Sequence, residues 1–371
     1  MKAAGFALVV LLALPWPAGA VTQELSVIYQ SPRALGMGGA DVAVGGQPTA
    51  LFSNPAGLAR MRPGRTTQLL VTAGLSHRTR SFFDAANEAL DADTANEQQI
   101  ELSDVVRRFR GDNLHFNSHL LPNVSWHGES WALSGAWLES VTFNGRTHQA
   151  LGSAGAVSID ARRFSGAVVG AAHFSGPMAV GISVKRLRME RLRKGYSVRE
   201  LVEITEADGS ITDDVESGRA TGFDVGVQYD LAPGYRWRPT FGASVQNVGG
   251  MDFGDAGEMP QIVTLGLAIE PHAPRTSRLR LAAEYFDLLH EATADTDHGK
   301  RIRVGAEWWP WERRRHALAL RAGLYQGAYT AGIDVHLHAL RLGLATYAEE
   351  QGAFMGQDRD RRYLLTVGLE L

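Results

Sequence analysis

The chain has 371 residues, 44% hydrophobic and 21% charged, with 41 Gly, no Cys and a formal net charge of −3. This composition excludes a disordered chain, a collagen and a coiled coil, and the lack of Cys excludes disulfide scaffolds, thiolate metal sites and cysteine nucleophiles. With 37 basic against 40 acidic residues, there is no electrostatic case for bulk nucleic-acid binding.

In chain order, the first element is a targeting segment. Lys2 precedes the apolar run Phe6–Leu14, followed by Pro15-Trp16-Pro17 and Ala18-Gly19-Ala20. A basic end, an apolar middle shorter than the ~20 residues of a spanning helix and an A-x-A ending predict a secretory signal over 1–20, cleaved near Ala20. No later run reaches that length, so any membrane crossing must be made by strands. The next segment, 21–66, is rich in Gly. Gly36, Gly38 and Gly39 invite a dinucleotide-binding reading, which fails because Asp41 occupies the third glycine position and no strand precedes the run.

From Thr67 to Leu371 apolar and polar residues alternate. Phe223, Val225, Val227 and Tyr229 alternate with Asp224, Gly226 and Gln228; Ile302, Val304 and Trp308 alternate with Arg301, Arg303 and Glu307. A period of two puts each set on its own face of a strand. Strands are predicted to begin near 67, 114, 130, 156, 178, 219, 237, 260, 276, 300, 316, 328, 339 and 361. Short and long connections take turns, as they do in outer-membrane barrels. The fold expected over 67–371 is all-β: a transmembrane antiparallel barrel of about fourteen strands. Trp126, Trp131, Trp308, Trp309 and Trp311 fall at strand ends, where an interfacial girdle belongs. A secreted soluble β-sandwich would show the same alternation and is the competing fold.

In a barrel, Asp224, Arg278, Arg280, Glu284, Arg301, Arg303, Glu307, Asp334 and Arg341 face the lumen and are expected to form a paired, solvated lining. Residues 81–110 break the alternation and predict a small helical external loop, with one helix from Ser81 and another over Asp104–Arg110. Its apolar residues Phe82, Phe83, Leu90, Val105, Val106 and Phe109 make either a groove for a ligand or a lid packed on the barrel mouth. The chain ends on Tyr363, Leu365, Val367, Leu369 and Leu371, all on the apolar face. That ending resembles the C-terminal signal read by barrel-insertion machinery. There is no G-x-S-x-G elbow, H-E-x-x-H or P-loop, so no enzyme, cofactor or metal site is expected.

Three stretches carry a family resemblance: Arg33-Ala34-Leu35-Gly36-Met37-Gly38-Gly39-Ala40, Ala50-Leu51-Phe52-Ser53-Asn54-Pro55-Ala56-Gly57-Leu58 and Ser244-Val245-Gln246-Asn247-Val248-Gly249. In them the chain resembles the FadL/PorV-like outer-membrane proteins, including the TraF-like members associated with conjugation. The resemblance implies that 21–66 folds inside the barrel as a hatch. Asn54, Pro55, Ala56 and Gly57, with Gly36, Gly38 and Gly39, would then form its constriction. It also implies outer-membrane lipid and barrel-insertion machinery as partners, and passive passage of small hydrophobic molecules as the function. The alternative it carries is a barrel that partners secretion or conjugation proteins.

Overall fold

The computed structural model describes residues 24–25, 27–148, 156–206, 215–271, 277–313 and 316–371. The expected signal over 1–20, its cleavage near Ala20 and the start of the 21–66 segment lie outside the described residues.

Fourteen long strands form one closed antiparallel barrel. They are β1 (Gly64–Ser76), β2 (Asn113–His127), β3 (Trp131–His148), β4 (Ala156–Ser175), β5 (Met178–Ser197), β6 (Glu216–Asp230), β7 (Pro239–Gln246), β10 (Ile262–Ile269), β11 (Arg278–Tyr285), β12 (Ile302–Arg313), β13 (His316–Tyr325), β14 (Ala328–Leu337), β15 (Leu340–Glu350) and β16 (Arg359–Glu370). The two-residue strands β8 (Met251–Asp252) and β9 (Glu258–Met259) make a separate hairpin. β1 closes the barrel on β16, with Leu69 opposite Leu369, Val71 opposite Val367 and Leu75 opposite Tyr363. Closure leaves no free edge and no second layer, which removes the sandwich alternative.

The alternation dictates which face is wet. Leu69, Val124, Leu133, Val169, Ile182, Val225, Leu267, Val304, Leu324, Leu344 and Leu365 are all exposed on the outer face. They form an apolar belt around the whole barrel, far larger than a soluble monomer exposes. Tyr363, Leu365, Val367, Leu369 and Leu371 belong to it. Trp126, Trp131, Trp308 and Trp311 lie on the same face near the short turns, but Trp309 does not: it is buried inside, against Arg278 and His336. Trp309 falls on the inward set with Arg303 and Glu307, and a register shift between Trp308 and Trp311 turns Trp311 outward despite its odd spacing from Trp308.

The wall is uneven. β3, β4 and β5 run 18, 20 and 20 residues, about twice what a membrane requires, whereas β7, β10 and β11 have 8 each. The tall strands rise past the belt at the end carrying the long loops. There the helices α2 (Thr79–Leu90), α3 (Ala95–Arg108) and α4 (Val198–Glu206) cover their outer face. Helix α1 (Pro32–Gly36) belongs to the N-terminal segment.

The helical insertion starts earlier than the sequence suggested: α2 begins at Thr79 rather than Ser81, and α3 at Ala95 rather than Asp104. The Ser81–Asp84 spacing is not a cap. The operative box is Thr94 with Glu97, in which the Glu97 amide donates to Thr94 Oγ1 at 3.3 Å. The unanticipated α4 has the same device: the Ser197 amide donates to Glu200 at 2.7 Å and the Glu200 amide to Ser197 Oγ at 3.3 Å. Both boxes are visible in the sequence.

Candidate functional site

The lumen is filled by the chain itself. Residues 27–61 are bonded and packed against the inward face of the wall. From the opposite end, Met251, Phe253, Ala256 and Met259 fold inward onto Phe164, Leu187 and Met189. Inward-facing glycines make room for both. A Cβ on Gly305 would lie 1.9 Å from Met37 O, one on Gly226 1.9 Å from Asn54 Oδ1, and one on Gly218 1.6 Å from Phe253 O. The surplus of glycine thus places backbone against backbone inside the barrel.

The residues singled out in the segment sit at these contacts. Gly36 lies against Gly332, and Gly39 against Tyr325 and Arg303. Gly38, at φ +70, has no room for a Cβ beside Val304 O. Asn54 Nδ2 donates to Val42 O at 2.7 Å and to Val227 O at 3.1 Å, while its Oδ1 accepts from the Ala56 amide at 3.1 Å. One side chain therefore ties two parts of the segment to the wall and starts the turn Pro55–Arg60. Pro55 and Ala56 rest on Gly181, and Gly57 packs on Gly45.

Charge supplies the second set of ties. Arg33 grips Glu307 through two bonds of 2.7 and 2.8 Å, the fork geometry of a strong guanidinium–carboxylate pair. Arg321 also donates to Glu307, at 2.9 Å, and bridges to Asp334, which accepts from Arg341 at 2.9 Å. Glu284 accepts the amides of Asp41 and Val42, both at 2.9 Å, and pairs with Arg303 at 3.1 Å. Across the barrel, Asp224 pairs with Lys185 at 2.7 Å and accepts the Asn247 amide at 2.8 Å. At the upper end of the segment, Glu24 meets Arg362 at 2.7 Å. Burial alone would raise the Glu24 carboxyl; the Arg362 guanidinium overrides it and holds the group down at about 2.

The expected solvated lining is therefore paired but dry around the segment. Glu284, Arg303, Glu307, Asp334, Arg341 and Asp224 are all buried. Arg278 and Arg280 are more open and reach Glu312 and Glu270. Arg301 is not at the segment; it clamps the 286–300 loop by pairing with Asp287 at 3.0 Å and Asp295 at 2.8 Å. Sequence reasoning missed Arg33, Lys185 and Arg362, three cations that complete these networks. Their partners lie 274, 39 and 338 positions away, and no local pattern announces such a pair.

The six apolar residues of the helical insertion neither line an open groove nor close the mouth. Phe82, Val106 and Phe109 are buried, with Phe83, Leu90 and Val105 packed beside them, against Leu114, Phe143, Val157, Ile159 and Leu192 on the outside of the tall strands. They form a buttress on the outer wall.

Cavities remain among the described residues of the interior. A cavity of about 50 Å³ lies beside the segment, lined by Tyr29, Phe52 and Phe286 together with Lys185, Glu284 and Arg303. A second, of about 140 Å³, opens at the short-turn end among Arg33, Arg60, Arg280, Trp309 and Arg341. The inner one is far smaller than the ~150 Å³ dry cavity that admits benzene. A benzene-sized molecule does not fit that inner cavity.

No protein-family model matches the chain, and no curated protein matches it in sequence. Solved structures do match. The toluene transporter TbuX of Ralstonia pickettii aligns over 91% of this chain and 97% of its own at TM-score 0.52 and 10% identity. A TodX monoaromatic hydrocarbon channel variant aligns over 91% and 97% at 0.53 and 11%. The Pseudomonas putida toluene transporter TodX aligns over 94% and 99% at 0.50 and 12%. The chain has the FadL-type barrel fold. In this FadL-type barrel the N-terminal segment folds inward onto a glycine-lined seat.

Proposed function

We propose that the protein is an outer-membrane barrel through which small hydrophobic molecules pass without an energy source, gated by the 21–66 segment acting as a hatch. The observation that carries this is the identity of the plug. The lumen is blocked by chain held through side-chain pairs and close contacts, chiefly residues 27–61 with Met251–Met259 at the opposite end, and not by a narrow wall, so the barrel can open with its strands unchanged. The outward belt supplies the lipid-facing surface. The neighbours in fold are named as toluene and monoaromatic hydrocarbon channels, which makes toluene the natural probe. The long-loop end, with the buttress, then faces the exterior, and the short turns face the periplasm.

Cells whose lipopolysaccharide-covered outer membrane carries the protein are expected to take up labelled toluene in a saturable way that cells lacking it do not. Equal uptake by the two would remove the transport reading. The sealed interior favours one second reading, a closed barrel that serves as a partner of secretion or conjugation proteins. It predicts no uptake and capture of the barrel in a stable complex.

A further inference from the structure

The belt ends in a defined way on β4, β5 and β6. On β5 the outward positions are Met178, Val180, Ile182 and Val184, paired across β6 with Tyr229, Val227, Val225 and Phe223. The next outward position is Arg186, opposite Thr221; then comes Arg188, opposite Arg219; then Glu190, opposite Ser217. On β4, Arg163 stands opposite Glu190. Four arginines and the carboxylates Glu139 and Glu190 thus occupy three successive outward levels directly above four apolar ones. Higher still on β4, Ala161, Ile159 and Val157 are apolar again and are covered by the buttress. The charged band lies between the belt and the buttress.

Its charges do not balance. Arg163 pairs with Glu139 at 2.5 Å and with Glu190 at 3.2 Å, and Arg188 shares Glu190 at 2.9 Å. Arg186 donates only to the Thr221 hydroxyl, at 3.0 Å, and Arg219 meets no carboxylate among the described residues. Arg188 and Arg219 face each other directly across two strands, an arrangement that costs stability unless an anion lies between them. Arginines at the upper rim of a lipid-facing belt stand where headgroup phosphates lie, and the guanidinium fork matches a phosphate.

We propose that Arg186, Arg188 and Arg219 bind the phosphate groups of an anionic outer-leaflet lipid, seating its headgroup below the helical buttress and its acyl chains along Ile182, Val184, Phe223 and Val225. The site rests on the barrel being lipid-embedded and not on what passes through it, so a lipid titration and an uptake assay fail independently.

The test is native mass spectrometry of the full chain in detergent, titrated with bisphosphorylated lipid A and with its dephosphorylated form. The wild type is expected to prefer the phosphorylated lipid roughly tenfold. The variant R186Q/R188Q/R219Q is expected to lose that preference. The variant R80Q/R107Q/R199Q, which removes equal charge from exposed helix positions on the buttress, is expected to keep it. Heat-modifiable gel migration establishes that each variant is a folded barrel. Equal binding of the two lipids by the wild type, or equal loss in both variants, overturns the proposal.

Discussion

Replacing Glu307 with alanine is expected to unseat the N-terminal segment while leaving the barrel standing. Glu307 accepts both arms of Arg33 and one of Arg321, and is fully buried. Removing one member of a buried pair costs on the order of 3–5 kcal/mol, because the remaining cation keeps its desolvation and loses its counter-charge. Arg321 retains Asp334 and Arg280 retains Glu270. Arg33 is left with the more distant Asp41, at 3.5 Å, and the Gly45 carbonyl. The loss therefore falls on the segment, whereas the strand ladders are untouched. Planar-bilayer recording should show a stepwise conductance for E307A that the wild type lacks. In the double variant E307A/R33M the orphaned charge is gone, and conductance should fall back toward wild type. Silent E307A channels would mean that the ion pair does not hold the plug.

A single methyl group at Gly305 should act as strongly by a different route. Its Cβ would sit 1.9 Å from Met37 O and 2.6 Å from Met37 C, both backbone atoms that cannot swing aside. Overpacking of this kind costs about 1–3 kcal/mol even where neighbours can adjust. Here the segment or the strand must shift, and β12 is held on both sides by ladders. We expect G305A to raise liposome permeability to small solutes several-fold. G135A is the control. It adds the same methyl to an outward-facing position on β3, where the nearest atom is Val169 Cγ1 at 3.7 Å, and should leave permeability unchanged.

The parts that were legible in the sequence share one cause. Lipid on one side and protein on the other force a period of two, so each strand began within three residues of its expected start. The girdle reading failed at Trp309 because this period puts it inside with Arg303 and Glu307, and the period itself failed at Trp311, where a bulge changes the face without leaving a mark in the composition. The outer buttress had a readable signal that the alternation contained. On β4 the outward set turns apolar again above Arg163, at Ala161, Ile159 and Val157, which lipid at that height cannot cover. The interior was the least legible. That Glu307 and Glu284 are dry depends on a segment more than 200 residues away in sequence. Position and charge suggested a lumen lining; only the packed segment determines that the lining has no water to face.

The central claim is that the N-terminal segment has to move for anything to pass. The most direct measurement uses a covalent lock. Val42 Cγ1 lies 2.5 Å from where a Cβ on Gly266 would be, so side chains at the two positions meet, and the chain has no other cysteine to interfere. Cells carrying oxidised V42C/G266C should take up labelled toluene no faster than cells lacking the protein, and reductant should restore uptake to that of the unlocked protein. If the cross-linked protein transports as fast as the reduced one, the segment is not the gate.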